Sequence, residues 1–160
     1  MTIFEAACRI LETLVAAFEA DGRPFKRAYA SDGSANWEFR PSLIVEWDGR
    51  ETALLAEAEA RPSDMSSGNL VMQAAFTIHA LRDTVWPASD EAGNPPEPHQ
   101  IQQNAHLVMC DAETIVSTLL RTMGSGALFG ACGRMFFVNQ AAVVPEGGVV
   151  GSETKVLVML

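Results

Sequence analysis

A chain of 160 residues that is 48% hydrophobic and 19% charged fits one domain, able to bury about 70% of its unfolded surface without disulfide or metal staples. Twenty acidic residues against 11 basic ones give a formal charge of −9. That balance argues against a phosphate-gripping nucleic-acid surface and against docking to an anionic membrane.

Cys8, Cys110 and Cys132 are odd in number and widely spaced. This usage points to free thiols in a reducing compartment and not to a disulfide framework. The opening segment MTIFEAACRILETLVAAFEADG carries Glu5, Arg9 and Glu12 within its apolar pattern, which suits neither a signal peptide nor a membrane span. Its apolar residues Ile3, Phe4, Ala7, Leu11, Leu14, Val15 and Phe18 recur three and four apart, which predicts an amphipathic helix. Thr2 with Glu5 forms a capping box, and Asp21-Gly22 followed by Pro24 marks the end.

A turn-rich stretch, residues 30–36, precedes Trp37, Phe39, Leu43, Val45 and Trp47, whose shared parity predicts a strand. Pro41 cannot donate to a ladder, so the strand begins or bends there, or lies at an edge. Asp48-Gly49 reads as a hairpin turn, with residues 52–60 as the returning strand, although their alanines and glutamates equally suit a helix. After a loop at 61–69, Leu70, Met72, Ala74, Phe76, Ile78 and Ala80 alternate with Val71, Gln73, Ala75, Thr77 and His79, a long half-buried strand. Residues 83–98 carry Pro87, Pro95, Pro96 and Pro98 without periodicity and read as an exposed loop.

From His99 the pattern becomes helical, with Ile101, Ala105, Val108, Ala112, Ile115, Leu119 and Met123 on one stripe and Gly124-Ser125-Gly126 at the close. Such a stripe could mark a coiled coil, but in a chain with this many strands a helix lying across a sheet is the favoured reading. The runs RMFFVNQAAVV and VVGSETKVLVML around Gly147-Gly148 predict a closing β-hairpin, its last strand central and covered on both faces. The fold expected is one α+β domain over residues 1–160, a mainly antiparallel sheet packed against two helices.

The search for chemistry returns no active site. His106 and Cys110 lie four apart on the second helix and could share a metal, but two ligands do not make a site; His79 and His99 have no partner at ligand spacing. The glycine run Gly124, Gly126, Gly130, Gly133 follows a helix and precedes a strand, the reverse of a phosphate loop, and lacks GK[ST]. No serine sits in a GxSxG elbow. Glu57 and Glu59 share a face only if their segment is a strand, and a solvated face is the simpler reading. Trp37, Phe39 and Trp47 at strand spacing suit core or a subunit contact. The expectation is therefore a protein that is not an enzyme, with no catalytic residue, cofactor or metal, acting by assembly.

The order of elements resembles the tail terminator (tail-to-head joining) and minor tail proteins of long-tailed bacteriophages. The resemblance is carried by TIFEAACRILETLVAAF, the proline-containing FRPSLIVEW, NLVMQAAFTIHAL, the helix DAETIVSTLLRTM and the closing VVGSETKVLV, as an order of elements over nearly the whole chain. It implies a homo-oligomeric ring, commonly a hexamer, that caps the tail tube, presents a surface to head-neck proteins and lets DNA pass through its lumen without specific binding. It also implies a virion protein assembled in the host cytoplasm, without a membrane. The alternative is a small α+β enzyme or ligand-binding domain that places Trp37, Phe76, His79 and Met109 around an apolar cavity.

Overall fold

The computed structural model describes residues 1–33, 39–54, 70–84, 89, 91–130, 133–143 and 148–159. The elements run α1 (Ile3–Ala20), β1 (Arg27–Ser31), β2 (Ser42–Leu54), β3 (Leu70–Asp83), α2 (Pro98–Gly124), β4 (Arg134–Ala142) and β5 (Val149–Met159). The strands form one sheet in the order β1-β2-β3-β5-β4. Only β1 pairs in parallel, with β2; the other neighbours are antiparallel. The fold is α+β, a mostly antiparallel sheet with two helices.

Both helices lie on one face of the sheet, here the front: α1 against β1 and β2, α2 against β5 and β4, and each against the other. α1 starts on the capping box read from sequence, with the Thr2 hydroxyl accepting from the Glu5 amide and the Glu5 carboxylate from the Thr2 amide. Its buried stripe is Ala6, Ala7, Ile10, Leu14 and Phe18. Phe4, expected on the buried face, is 70% exposed because it lies about a quarter turn off that stripe. The stripe meets Leu43 and Val45 of β2, Phe76 and Ile78 of β3, Val156 and Val158 of β5, and Ile115 and Leu119 of α2 in the main core. Phe18 is fully buried edge-on to Phe25, their ring centres 4.8 Å apart.

Several expectations about the strands are corrected. Asp48-Gly49 is no hairpin turn: β2 continues through it to Leu54, and the ladder with β3 shifts register between Trp47 and Gly49. Gly49 has φ +111°, so the glycine that signals a tight turn here serves a bulge, which needs the same backbone freedom. Residues 52–54 thus belong to β2, while 55–60, the loop 61–69, Glu57, Glu59 and Trp37 lie outside the described residues. β1 was not anticipated. Its last two residues fall in the stretch that reads as turn, and a five-residue edge strand leaves too short a pattern to detect.

β3 is not half buried. It is the middle strand, with Ala74, Phe76, Ile78 and Ala80 buried on the front and Gln73, Ala75, His79 and Leu81 buried on the back. β5 lies inside the sheet as expected, but Lys155, Leu157 and Met159 remain partly exposed. On the back, Ile44, Leu81 and Val149 form a second, smaller cluster with Tyr29 and Val143. The β4–β5 hairpin is as read from sequence; its turn at 144–147 is outside the described residues. Of the loop expected at 83–98, Asp83 closes β3, Pro98 opens α2, and Ser89 and residues 91–95 and 97 are exposed.

α2 runs unbroken from Pro98 to Gly124, yet only its second half is packed, through Asp111, Ile115, Thr118 and Leu119. No residue from Pro98 to Cys110 is buried, and Ile101 and Met109 are 54% and 63% exposed. The predicted stripe is thus a core face only from Ile115 onward.

Candidate functional site

Three side-chain constellations stand out, and their chemistry separates them. The first is a buried charge knot where the end of α1, the end of β3 and the middle of α2 meet. Asp111, 1% exposed, takes Arg23 Nη1 on Oδ1 at 2.5 Å and Arg82 Nε on Oδ2 at 2.5 Å, with Arg82 Nη2 a further 3.3 Å from Oδ1. Arg82 also donates to the Arg23 carbonyl at 2.8 Å, and its guanidinium lies 4.1 Å over the Phe25 ring. Arg23 donates to the Thr114 hydroxyl at 2.6 Å. Both carboxylate oxygens of Asp111 are engaged by arginines of the protein itself, which suits a clasp between elements. The signal was present in the sequence, since Asp111 stands four residues before Ile115 on the buried face of α2.

The second is on the back of the sheet. His79, 5% exposed, lies between two carboxylates, with Nε2 3.4 Å from Glu46 and Nδ1 3.2 Å from Glu153. Glu153 is its direct cross-strand partner on β5, while Glu46 is diagonal on β2. Beside them the Thr77 hydroxyl donates to Asp48. The arrangement sets a buried imidazole on β3 between carboxylates of the strands on either side. Sequence reading found His79 but not its neighbours, because cross-strand register is invisible before the topology is known. His106 and Cys110 do sit side by side on exposed α2, with Sγ 3.6 Å from Nε2. Among the described residues no group of three His, Cys, Asp or Glu could hold a metal ion.

The third is apolar. A groove of about 430 Å³ opens between the start of α1 and the β1 edge. Ile3, Phe4 and Ala7 form one wall, Ala30 and its β1 neighbours through Asp32 another, and Trp47 and Phe76 the floor. Trp47 and Phe76 are register partners on the front face, so the pairing itself sets the aromatic floor. The capping box fixes where α1 begins, and with it the placing of Ile3 and Phe4. Phe4 and Trp47 stay 70% and 39% exposed, and exposed Asp32 stands at the rim. Trp47, expected as core or subunit contact, lines this groove; Phe39 is 48% exposed under the Arg27 guanidinium.

At the far edge, β4 exposes Phe136 (46%) and Val138 (51%). Phe136 is opposite Leu157 and Arg134 opposite Met159, so both lie on the back face. Arg134 is exposed and has no ion pair among the described residues. The ligand constellation Trp37, Phe76, His79, Met109 is not assembled. Phe76 faces the front of β3 and His79 the back, Met109 is exposed on α2, and Trp37 is outside the described residues.

No helix among the described residues is long and apolar enough to cross a membrane. The chain matches no protein-family model and no curated protein sequence.

Proposed function

We propose that the protein is a structural subunit of a tailed-phage virion, a tail terminator that closes into a ring on the tail tube and meets the neck. The observation that carries this reading is the placing of large exposed apolar side chains at opposite edges of one sheet. Phe4 and Trp47 stand at the β1 end, Phe136 and Val138 at the β4 end. Surfaces at opposite ends of a subunit join head to tail, and a head-to-tail contact whose rotation closes makes a ring. Unpaired edges and exposed aromatics are hazards in a monomer and assets in an assembly. The −9 charge suits a lumen that repels phosphate, so that DNA slides through without sticking. In this reading the partners are other copies, the tail tube and the head-neck proteins, and the protein is not an enzyme.

The test adds purified protein to growing tail tubes and follows them by electron microscopy. A ring on one end of each tube, with growth arrested, is the expected result. Tubes that lengthen as before with no ring attached would sink the reading. A second reading, a small-ligand-binding domain, draws on the groove, whose volume of about 430 Å³ lies within the range of ligand pockets, roughly 300–1,000 Å³. It predicts a bound small molecule in the purified protein by native mass spectrometry.

A further inference from the structure

We propose that copies of this chain join by shingling, the back of the β4 edge of one copy lying in the α1–β1 groove on the front of the next. The inference rests on the self-assembly reading above and specifies its contact. Two observations select a second copy as the occupant of the groove.

The first is shape and place. The groove is a concave apolar site on the front face at one edge, with Phe4 and Trp47 exposed in it. At the other edge Phe136, on the back of β4, is 46% exposed with Leu157 of β5 partly exposed opposite it, and Val138, at the irregularity of the ladder, is 51% exposed. The knob is on the back and the groove on the front. A continuous sheet joined edge to edge would keep front with front and leave both unused. Overlapping copies, back over front, bring them together and leave the same pair of surfaces free at the ends of the chain of subunits, so the contact repeats until it closes.

The second is charge. Two copies that each carry −9 repel, so a contact between them is favoured where local signs are opposite. The knob has a cation beside it: exposed Arg134 shares the back face with Phe136, while Lys155 and Glu153 of the neighbouring strand offset one another. The groove has an acid at its rim: exposed Asp32. An apolar centre ringed by opposed charges is the anatomy of a specific protein contact.

The test uses the full chain, with mass measured by light scattering and native mass spectrometry over a range of concentrations. Phe136→Glu and Phe4→Glu alter exposed side chains outside the core, so each variant keeps its circular dichroism and melting behaviour. Each alone should weaken self-association by about tenfold or more. An equimolar mixture of the two should form a heterodimer through the one intact knob and groove, but no closed ring. Arg134→Glu should weaken assembly, and adding Asp32→Arg in the same chain should restore it. Wild type that stays monomeric at every concentration overturns the contact. So does a wild-type ring that survives both glutamate variants, which would leave the terminator reading standing with another interface. A small apolar molecule bound in the groove, with assembly indifferent to Phe4→Glu, overturns it as well. Rings that obey the pairing rule yet fail to cap tubes uphold the contact and sink the terminator reading.

Discussion

Asp111 is the residue on which the helix layer depends most. A carboxylate with 2% of its side chain exposed is tolerable because two guanidiniums and a hydroxyl network surround it. Removing it leaves Arg82 without a carboxylate partner and Arg23 with only the half-exposed Asp21, 3.3 Å away. Asp111→Ala should therefore cost about 3–5 kcal/mol in urea denaturation. Arg82→Ala should be of similar size, since it also strips the cation from the Phe25 ring. The two losses should be far from additive, because both break one network. An Asp111→Ala chain that unfolds at the wild-type midpoint would show the clasp to be incidental. His79 belongs to the same scale but to another layer, the back of the sheet. Its two carboxylate neighbours come from β2 and β5, on either side of it.

Among the elements, the β3–β5 pair leaves no room for a side chain at Gly151. Gly151 lies opposite Leu81, and a Cβ there would come 2.2 Å from the Ala80 carbonyl oxygen and 3.1 Å from Leu81. The obstacle is backbone of the central strand, which cannot swing aside as a side chain would. Gly151→Ala should destabilise by about 1–3 kcal/mol or more, read as a lowered melting temperature, by pushing the two strands apart. Gly148→Ala serves as the comparison of a different kind: its Cβ would meet only the Thr84 hydroxyl at 3.9 Å, so any loss there comes from φ +77° alone. If Gly151→Ala melts with wild type, the strands are held less tightly than their register implies. α2 shows the opposite condition. Its first half is helical through local bonds and a proline start, without a buried face to hold it.

At the scale of the whole molecule, charge and shape act together. A surface of net −9 discourages contact with DNA and with other copies alike, so assembly depends on local complementarity. Duplex DNA should therefore not be retarded in a gel by this protein, even at low salt where a basic patch would grip most strongly. Assembly between copies should strengthen as salt rises toward about 150 mM, where the screening length falls to about 8 Å and long-range repulsion fades while close contacts persist. Retardation of DNA that vanishes with added salt would place a phosphate-binding surface on the molecule and contradict the sliding lumen.

The sequence by itself determined the elements whose periodicity is long and whose ends are marked. α1 with its Thr2–Glu5 box, the long strand through Phe76, α2 closed at Gly124 and the β4–β5 hairpin could all be read from local pattern, because such signals are carried by residues near one another in the chain. What depended on distant residues could not be read. The tertiary structure decided that Asp48-Gly49 is a bulge, since a positive-φ glycine serves a turn or a bulge alike and only the partner strand chooses. It decided that β3 buries side chains on both faces, that half of the α2 stripe meets no core, and that β1 exists at the edge. The candidate site was the least legible part. The groove draws Phe4, Ala30, Trp47 and Phe76 from four elements, and Asp111 finds its arginines 88 and 29 residues away. Such convergence is fixed by how the helices pack on the sheet, a free-energy balance summed over the whole core, which leaves no periodic trace in any one stretch of chain.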